Sequence, residues 1–421
     1  MTETPLRKRE DALASRDLSL DLARVACVLL VVAVHLLFTG VFRDADDIRL
    51  ERTAELQPWF AAISWLLEIM PLFFVVGGFA TAAGLASAAR RGESGADFVR
   101  SRLLRLARPS LPLFLFLAAG LAAATLLGVD PVLFSGVAIG VGSPLWFLAA
   151  YMIVQALGPA MMRLHRARPR TTLAVLLVLI GAVDTARMLA GEPLLGLPNV
   201  FFVWLLVQQL GFWMFDGWFA RRAWWQLLLL VVGGYGLLLA LVPLAGYSWN
   251  MLSNQYPPTL PLAVLGVVQA ASLTLLRRPL TALMRLKAAQ GVVLIAGTRL
   301  MTIYLWHLPV IIALVGVQLL LPFPMSEPGS AGWWAERLPA YLLVLGAVWL
   351  LSLWLVRFER PAPGDRGTGA SPGVVAAAVV AFTAPPFLVM VLGLDLWLAA
   401  AGLAGTALAL LLARPARAGA S

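Results

Sequence analysis

The sequence predicts an all-α protein that crosses a membrane many times, and three observations support this fold class. Hydrophobic residues make up 61% of the 421 residues, charged residues only 13%, and the mean hydropathy is +0.86. A soluble domain carries about 25% charged residues. The apolar residues recur in runs of roughly 20, which is the length of helix that spans a bilayer. They do not alternate with a period of two, as the strands of a membrane β-barrel would.

Twelve apolar segments are predicted to be membrane spans. They cover residues 22–42, 58–87, 109–127, 143–163, 172–190, 198–219, 225–245, 259–276, 292–320, 334–356, 374–393 and 395–413. The second and the ninth are longer than one span requires, so we expect them to be tilted, broken or continued outside the bilayer.

The predicted spans divide the chain around one Pro/Gly-rich segment. Residues 358–373 contain RPAPGDRGTGASPG, which is typical of a linker. We therefore expect a ten-helix bundle, formed by residues 22–357, followed by two additional helices. The predicted parts are an N-terminal segment (1–21), the transmembrane core (22–357), the linker (358–373), the two extra helices (374–413) and a tail (414–421).

Charge alternates between successive loops, and this pattern predicts the orientation. Basic loops, nearly all arginine, are separated by acidic or neutral ones. The positive-inside rule places the basic loops and both termini in the cytoplasm of a cell that carries the protein in its inner (plasma) membrane. The N-terminus lacks the pattern of a cleavable signal peptide. The net charge of +10 then indicates topology and contact with anionic membrane lipids, and no nucleic-acid partner is expected.

Few side chains are suited to metal binding or proton transfer. Cys27 is the only cysteine, so neither a disulfide within the chain nor a cysteine-based metal site is expected. The chain has three histidines, at positions 35, 165 and 307. His165 lies among arginines in a predicted cytoplasmic loop, and we expect it to be solvated.

His35 lies inside the first predicted span, about 13 residues from its start. Arg24 precedes it by 11 residues, which places the two on one face of a helix, roughly 16 Å apart. Polar groups at such depth normally face a protein interior or a wet cavity. The second span contains Glu68 at a depth that could match His35, and a carboxylate there could orient the imidazole. A structural histidine and a carboxylate in an outward-facing vestibule are the alternatives.

Two further groups of residues are candidates for ligand binding. Arg102 and Arg105 follow one helical stripe at a cytoplasmic membrane edge, where guanidinium groups could bind phosphate; simple anchoring of the topology would give the same pattern. Aromatic motifs surround Trp146, in SPLWFLAAYM, and Tyr304 with His307, in MTIYLWHLPV. Aromatic belts explain Trp and Tyr near membrane interfaces, but they explain His307 less well.

Five motifs occur in an order that resembles the membrane-bound acyltransferase family 3. They are Asp21-x-x-Arg24 with His35 eleven residues later, PLFFVVGGF, Arg102-x-x-Arg105 near a proline, LWFL, and IYLWHLPV. The resemblance extends over roughly residues 16–320. It implies that an acyl group moves from cytoplasmic acyl-CoA, acetyl-CoA being the commonest donor, to a hydroxyl of a carbohydrate, lipid or small molecule.

The resemblance also implies roles for individual residues. It gives His35 the role of general base on the acceptor hydroxyl, and it gives Arg24, Arg102 and Arg105 roles at the CoA end or in holding the site. We add Glu68 to the catalytic group, and we assign Trp146, Tyr304 and His307 to donor binding. No metal is expected. A transporter or flippase of a polar or lipid-linked substrate is the alternative, and the lack of a visible inverted repeat disfavours it.

This sequence departs from the family pattern in three places. Gly77 stands where serine is common, so no hydroxyl is available there. Arg108 separates the arginine pair from its proline by one extra residue. No hydrolase-like domain outside the membrane follows the core, and we therefore expect direct transfer or transfer through a separate partner.

Overall fold

The computed structural model describes residues 18–44, 47–129, 131–142, 144–322, 324–360, 365 and 367–414. Helix makes up 80% of the structure and the only sheet is a two-stranded hairpin, within the residues described. The predicted all-α, polytopic fold class is confirmed.

Sixteen helices and two strands are present in the described part of the chain. In order they are α1 (Leu18–Phe38), β1 (Gly40–Asp44), β2 (Asp47–Glu51), α2 (Phe60–Leu67), α3 (Met70–Arg90), α4 (Gly95–Leu126), α5 (Pro131–Gly142), α6 (Leu145–Ala167), α7 (Pro169–Ala190), α8 (Asn199–Phe215), α9 (Trp224–Ala245), α10 (Leu260–Leu275), α11 (Arg277–Leu283), α12 (Lys287–Gly297), α13 (Leu300–Leu320), α14 (Ala331–Glu359), α15 (Pro372–Leu392) and α16 (Leu396–Leu412). Short 3-10 turns lie at Pro193–Gly196 and Met251–Asn254.

Ten helical segments of the described chain are long and apolar enough to cross a membrane, and an eleventh results if the pair α10 and α11, bent by 56°, counts as one span. All twelve predicted segments contain helix, but the first ends early, since α1 stops at Phe38 and residues 40–42 belong to β1. The last, α16, has only 17 residues. The second is broken between α2 and α3, at Glu68 and Ile69. The ninth is broken between α12 and α13, at Thr298 and Arg299. Both long segments are therefore broken, as one of the predicted alternatives required.

The hairpin and α5 were not predicted from the sequence. The antiparallel strands β1 and β2 pair Gly40 with Glu51 at the open end and Asp44 with Asp47 at the turn. A side chain of the hairpin, Arg43, donates a hydrogen bond to the backbone oxygen of Leu319 at the end of α13. The hairpin thus joins the end of α1 to the end of α13, two helices that also carry His35 and His307.

Close packing of α3 against α8 forms the centre of the bundle. A Cβ atom at Gly211 would lie 2.7 Å from the Cα atom of Gly78, so only glycine permits this separation of the two helices. The two backbones touch at these positions, and Gly78 also lies against the backbone of Gln208. Gly78 thus lets the backbone of α8 approach α3, whereas Gly77 lies against the side chain of Tyr151.

The last two helices pack directly on the core, α15 against α6 and α16 against α4. The predicted linker is partly helical, because α14 continues to Glu359 and α15 begins at Pro372. Its residues 361–364 and 366 lie outside the described part of the chain, as do residues 1–17 of the predicted N-terminal segment 1–21 and residues 415–421 of the predicted tail 414–421. Where the linker is described, it is attached to α4: the backbone N–H of Ala370 donates to Asp97 Oδ1 at 2.9 Å.

Candidate functional site

His35 lies in the last turn of α1, nearer to one end of the helix than the sequence predicted. Its Nδ1 is 2.8 Å from the backbone oxygen of Val31. A carbonyl oxygen only accepts hydrogen bonds, so Nδ1 carries the hydrogen and Nε2 carries the lone pair. The hydroxyl of Thr39 donates to the backbone oxygen of His35 at 2.8 Å and continues the helical hydrogen bonding past the end of α1. The imidazole is therefore held in the tautomer that a general base needs.

His307 lies directly beside His35, and no pattern in the sequence predicted this pairing. The ring centroids are 5.0 Å apart and the ring planes meet at 66°. His307 is 0% exposed, and its Nδ1 is 2.6 Å from the backbone oxygen of Tyr304. Its Nε2 is buried and has no hydrogen-bond partner among the described residues. The scarcity of histidine in apolar spans was the one signal that could have suggested the pair.

Aromatic rings connect the histidine pair to the start of α6. The hydroxyl of Tyr304 donates to the backbone oxygen of Pro144 at 2.5 Å, and its ring lies 4.9 Å from that of Phe147. Trp146, the next ring, stacks on Trp204 of α8 at 5.9 Å. The two predicted aromatic motifs, LWFL and IYLWHLPV, thus meet in one place.

Glu68 is buried, at the break between α2 and α3. Its Oε1 accepts a hydrogen bond from the backbone N–H of Met70 at 3.0 Å, which caps the start of α3. Its backbone oxygen accepts from Gln269 at 2.6 Å. In the part of the chain that the structure describes, no hydrogen bond joins Glu68 to His35.

Arg24 lies three helical turns before His35 and pairs with Asp21 at 3.9 Å. Near this end of α1, an open recess separates the ends of several helices. Its lining includes Ser19, Phe79, Met214, Phe219, Leu273 and Arg277. A small apolar cluster of Ala23, Val76 and Leu273 forms the adjoining core.

The two predicted arginines differ in exposure, Arg102 being partly buried and Arg105 exposed. Arg102 turns toward α3, donates to the backbone oxygen of Ala80 at 3.4 Å and lies over the ring of Phe98 at 4.9 Å. Arg105 lies on the exposed side of α4. Both are close to the arginine-rich start of α4, where Arg108 forms a two-pronged ion pair with Asp365.

The prediction that His165 is solvated is wrong. The helix α6 continues through His165, whose side chain is buried, with Nδ1 2.8 Å from Gln209 Oε1 and Nε2 3.0 Å from Asp216 Oδ2. Helix α8 supplies Gln209, and Asp216 is the residue that follows the end of α8. The sequence around His165 contains no sign of either partner. Within the described ranges, no group of three or more His, Cys, Asp or Glu side chains could hold a metal ion.

A family model described as an acyltransferase domain matches residues 17–356 of the chain, about four-fifths of its length. The match begins just before α1 and ends within α14, so it includes both histidines of the pair. No curated protein and no solved structure matches the chain.

Proposed function

Because this chain belongs to the acyltransferase 3 family and is a membrane acyltransferase, we propose that it moves an acyl group, acetyl being the expected one, from acyl-CoA to a hydroxyl of a carbohydrate, lipid or small molecule. The observation that carries the proposal is the hydrogen bond from His35 Nδ1 to Val31. It leaves a lone pair on Nε2, in a partly buried position at the end of α1. An acceptor hydroxyl needs such a base near neutral pH.

In the proposed reaction one proton passes from the acceptor hydroxyl to His35 and from His35 to the CoA sulfur. Nε2 takes the proton of the acceptor hydroxyl while the oxygen forms a bond to the thioester carbon. The carbon–sulfur bond then breaks, and the proton on Nε2 passes to the CoA sulfur, which leaves as the thiol. Acylated acceptor and CoA are the products, and His35 returns to its neutral form. Burial among apolar helices supports the proposal, since it keeps competing water away from the thioester.

We assign the cationic groups to the phosphates of the donor. Arg24 lies at the same end of α1 as the recess. Arg102 of α4 donates a hydrogen bond to Ala80 of α3, which is next in sequence to Phe79 in the lining of the recess. Arg105 is exposed and can reach a ligand that arrives from outside the bundle. Guanidinium groups bind phosphate through paired hydrogen bonds. Trp146, Tyr304 and His307 would line the donor's path near the base.

The proposal includes an orientation. The basic loops are assigned to the cytoplasm of the inner (plasma) membrane, so that Arg24, the recess and the arginine-rich start of α4 face the cytoplasmic acyl-CoA pool. His35 then lies about 25 Å along α1 from Leu18, toward the opposite side. An acceptor could reach it from there, by direct transfer or through a partner protein. Glu68, at a helix break, would set the position of α3 relative to α1.

The test compares acyl transfer by wild type, His35→Ala and Val34→Ala in a strain lacking the native gene. Mass spectrometry of glycans, lipids and secreted metabolites first identifies the product, which for an acetyl group is about 42 mass units heavier, and we expect His35→Ala to lower its formation by about 10²–10⁴-fold. Val34→Ala changes the neighbouring buried residue and should leave transfer largely intact. Normal acylation in His35→Ala would refute the assignment of the base, and substrate flux without any acylated product would favour a transporter instead.

A further inference from the structure

The Nε2 atom of His307 is a buried hydrogen-bond acceptor with nothing to accept from. Its ring is 0% exposed, and Nδ1 donates to the backbone oxygen of Tyr304 at 2.6 Å. The ring is therefore held as the tautomer with its lone pair on Nε2. No described residue donates a hydrogen bond to that nitrogen. Buried polar atoms are nearly always paired in native proteins, so an exception calls for a cause.

Neighbouring groups that could donate are already engaged. The hydroxyl of Tyr304 donates to Pro144 at 2.5 Å. The hydrogen on His35 Nδ1 is directed at Val31, 2.8 Å away. The hydroxyl of Thr39 donates to the backbone of His35. A bound molecule with a hydrogen to donate can fill this position.

The position of His307 limits which part of a ligand that hydrogen belongs to. The rings of His307 and His35 are 5.0 Å apart. A group that contacts both the base and His307 Nε2 must therefore carry its hydrogen within a few bonds of the reacting atoms. A thioester has no hydrogen to donate, but acyl-CoA has an amide N–H only two methylene groups from its sulfur.

We propose that His307 Nε2 accepts a hydrogen bond from this amide N–H of the pantetheine arm and so holds the thioester against His35. The inference rests on the proposed function, in which His35 returns its proton to the same sulfur. A sulfur next to His35 places the amide over the neighbouring ring. The contact fixes how far the arm enters the bundle, and with it the position of the thioester carbon.

The experiment measures binding of two ligands to purified full-length protein by calorimetry. One is acetyl-CoA, and the other is its analogue with an ester oxygen in place of that N–H. Wild type should bind the ester analogue at least about tenfold more weakly, since one hydrogen bond to a buried acceptor is lost. His307→Phe, which keeps a flat ring without an acceptor, should bind the two ligands equally and acetyl-CoA more weakly than wild type does. His307→Gln, whose amide oxygen can accept, should recover part of the preference for acetyl-CoA.

Several results would overturn the inference. Equal affinity of wild type for the two ligands would do so, and this measurement needs no variant that must fold. A preference that survives unchanged in His307→Phe would assign the contact to another residue. Failure of wild type to bind acetyl-CoA would refute the proposed donor as well, whereas acylation unaffected by His35→Ala would refute only the base. Dependence of affinity on a second hydroxyl of the acceptor, with no effect of the amide, would place the acceptor at His307.

Discussion

His165 and His307 are both buried imidazoles, but their surroundings are opposite. Both nitrogens of His165 face acceptor oxygens, Gln209 Oε1 at 2.8 Å and Asp216 Oδ2 at 3.0 Å. The orientation of the Gln209 amide is supported by its nitrogen, which donates to Met161 at 3.1 Å. Both ring nitrogens of His165 therefore have a partner within the protein. Nδ1 of His307 lies 2.6 Å from the backbone oxygen of Tyr304, and its Nε2 has no hydrogen-bond partner among the described residues.

On the proposed assignment, the difference separates a histidine that holds the fold from one that binds a ligand. Both ring nitrogens of His165 already have partners within the protein, so neither is open to a substrate. His35 and His307 each keep a lone pair on Nε2, and they lie together. Burial alone did not distinguish the two sites; the identity of the partner atoms did.

The largest effect on stability is expected for His165→Ala. It leaves the buried Gln209 oxygen without a donor, so we expect the free energy of unfolding to fall by about 1–3 kcal/mol. Acyl transfer per folded molecule should be unchanged. Unfolding of the purified protein in mixed micelles, with activity measured on the same samples, checks both statements.

A second variant sharpens this prediction. His165→Leu combined with Gln209→Leu removes donor and acceptor together and should be less destabilising than the sum of the single changes. Loss of activity without loss of stability in His165→Ala would mean that His165 contributes to acyl transfer and not to the fold, contrary to this prediction.

A smaller effect is expected for Tyr304→Phe. The change removes the hydrogen bond from the hydroxyl to Pro144, and we expect a loss of about 0.5–1.5 kcal/mol in the free energy of unfolding. His307 is anchored by the backbone oxygen of Tyr304, which the substitution keeps. Affinity for acetyl-CoA should therefore be nearly unchanged. A large drop in affinity would show that the hydroxyl itself shapes the donor site.

Much of the fold followed from apolar run length, because a helix must satisfy its own backbone wherever lipid surrounds it. The positions of the helix breaks were harder to predict. Excess length indicated that the second and ninth segments are unusual, but no residue pattern placed the first break at Glu68. The hairpin β1–β2 begins inside the first predicted span, at Gly40, and continues through a stretch whose charged residues favoured a loop. Its pairing depends on contacts such as that of Arg43 with α13, which no local pattern reveals.

The candidate site could be predicted residue by residue but not as an arrangement. Depth in a span selected His35, and motif order selected Tyr304 and His307, yet their meeting depends on how α1 packs against α13. The same limit explains His165, since its partners lie 44 and 51 residues further along the chain. Side-chain partners across helices are a property of packing, and a single sequence does not display them.

The smallest effect concerns the ion pair that attaches the linker to α4. Arg108 and Asp365 are 25% and 14% exposed, so the pair is partly screened by solvent, and we expect a coupling energy of about 0.2–1 kcal/mol. A double-mutant cycle of Arg108→Ala and Asp365→Asn isolates it, because other contacts of either residue cancel. Two hydrogen bonds between a side chain and the backbone remain nearby. Arg100 donates to the Gly367 oxygen at 3.2 Å, and the Ala370 N–H donates to Asp97 at 2.9 Å. A coupling energy of zero would mean that these backbone contacts alone attach the linker to α4, and that Arg108 is available to an anionic ligand at little cost.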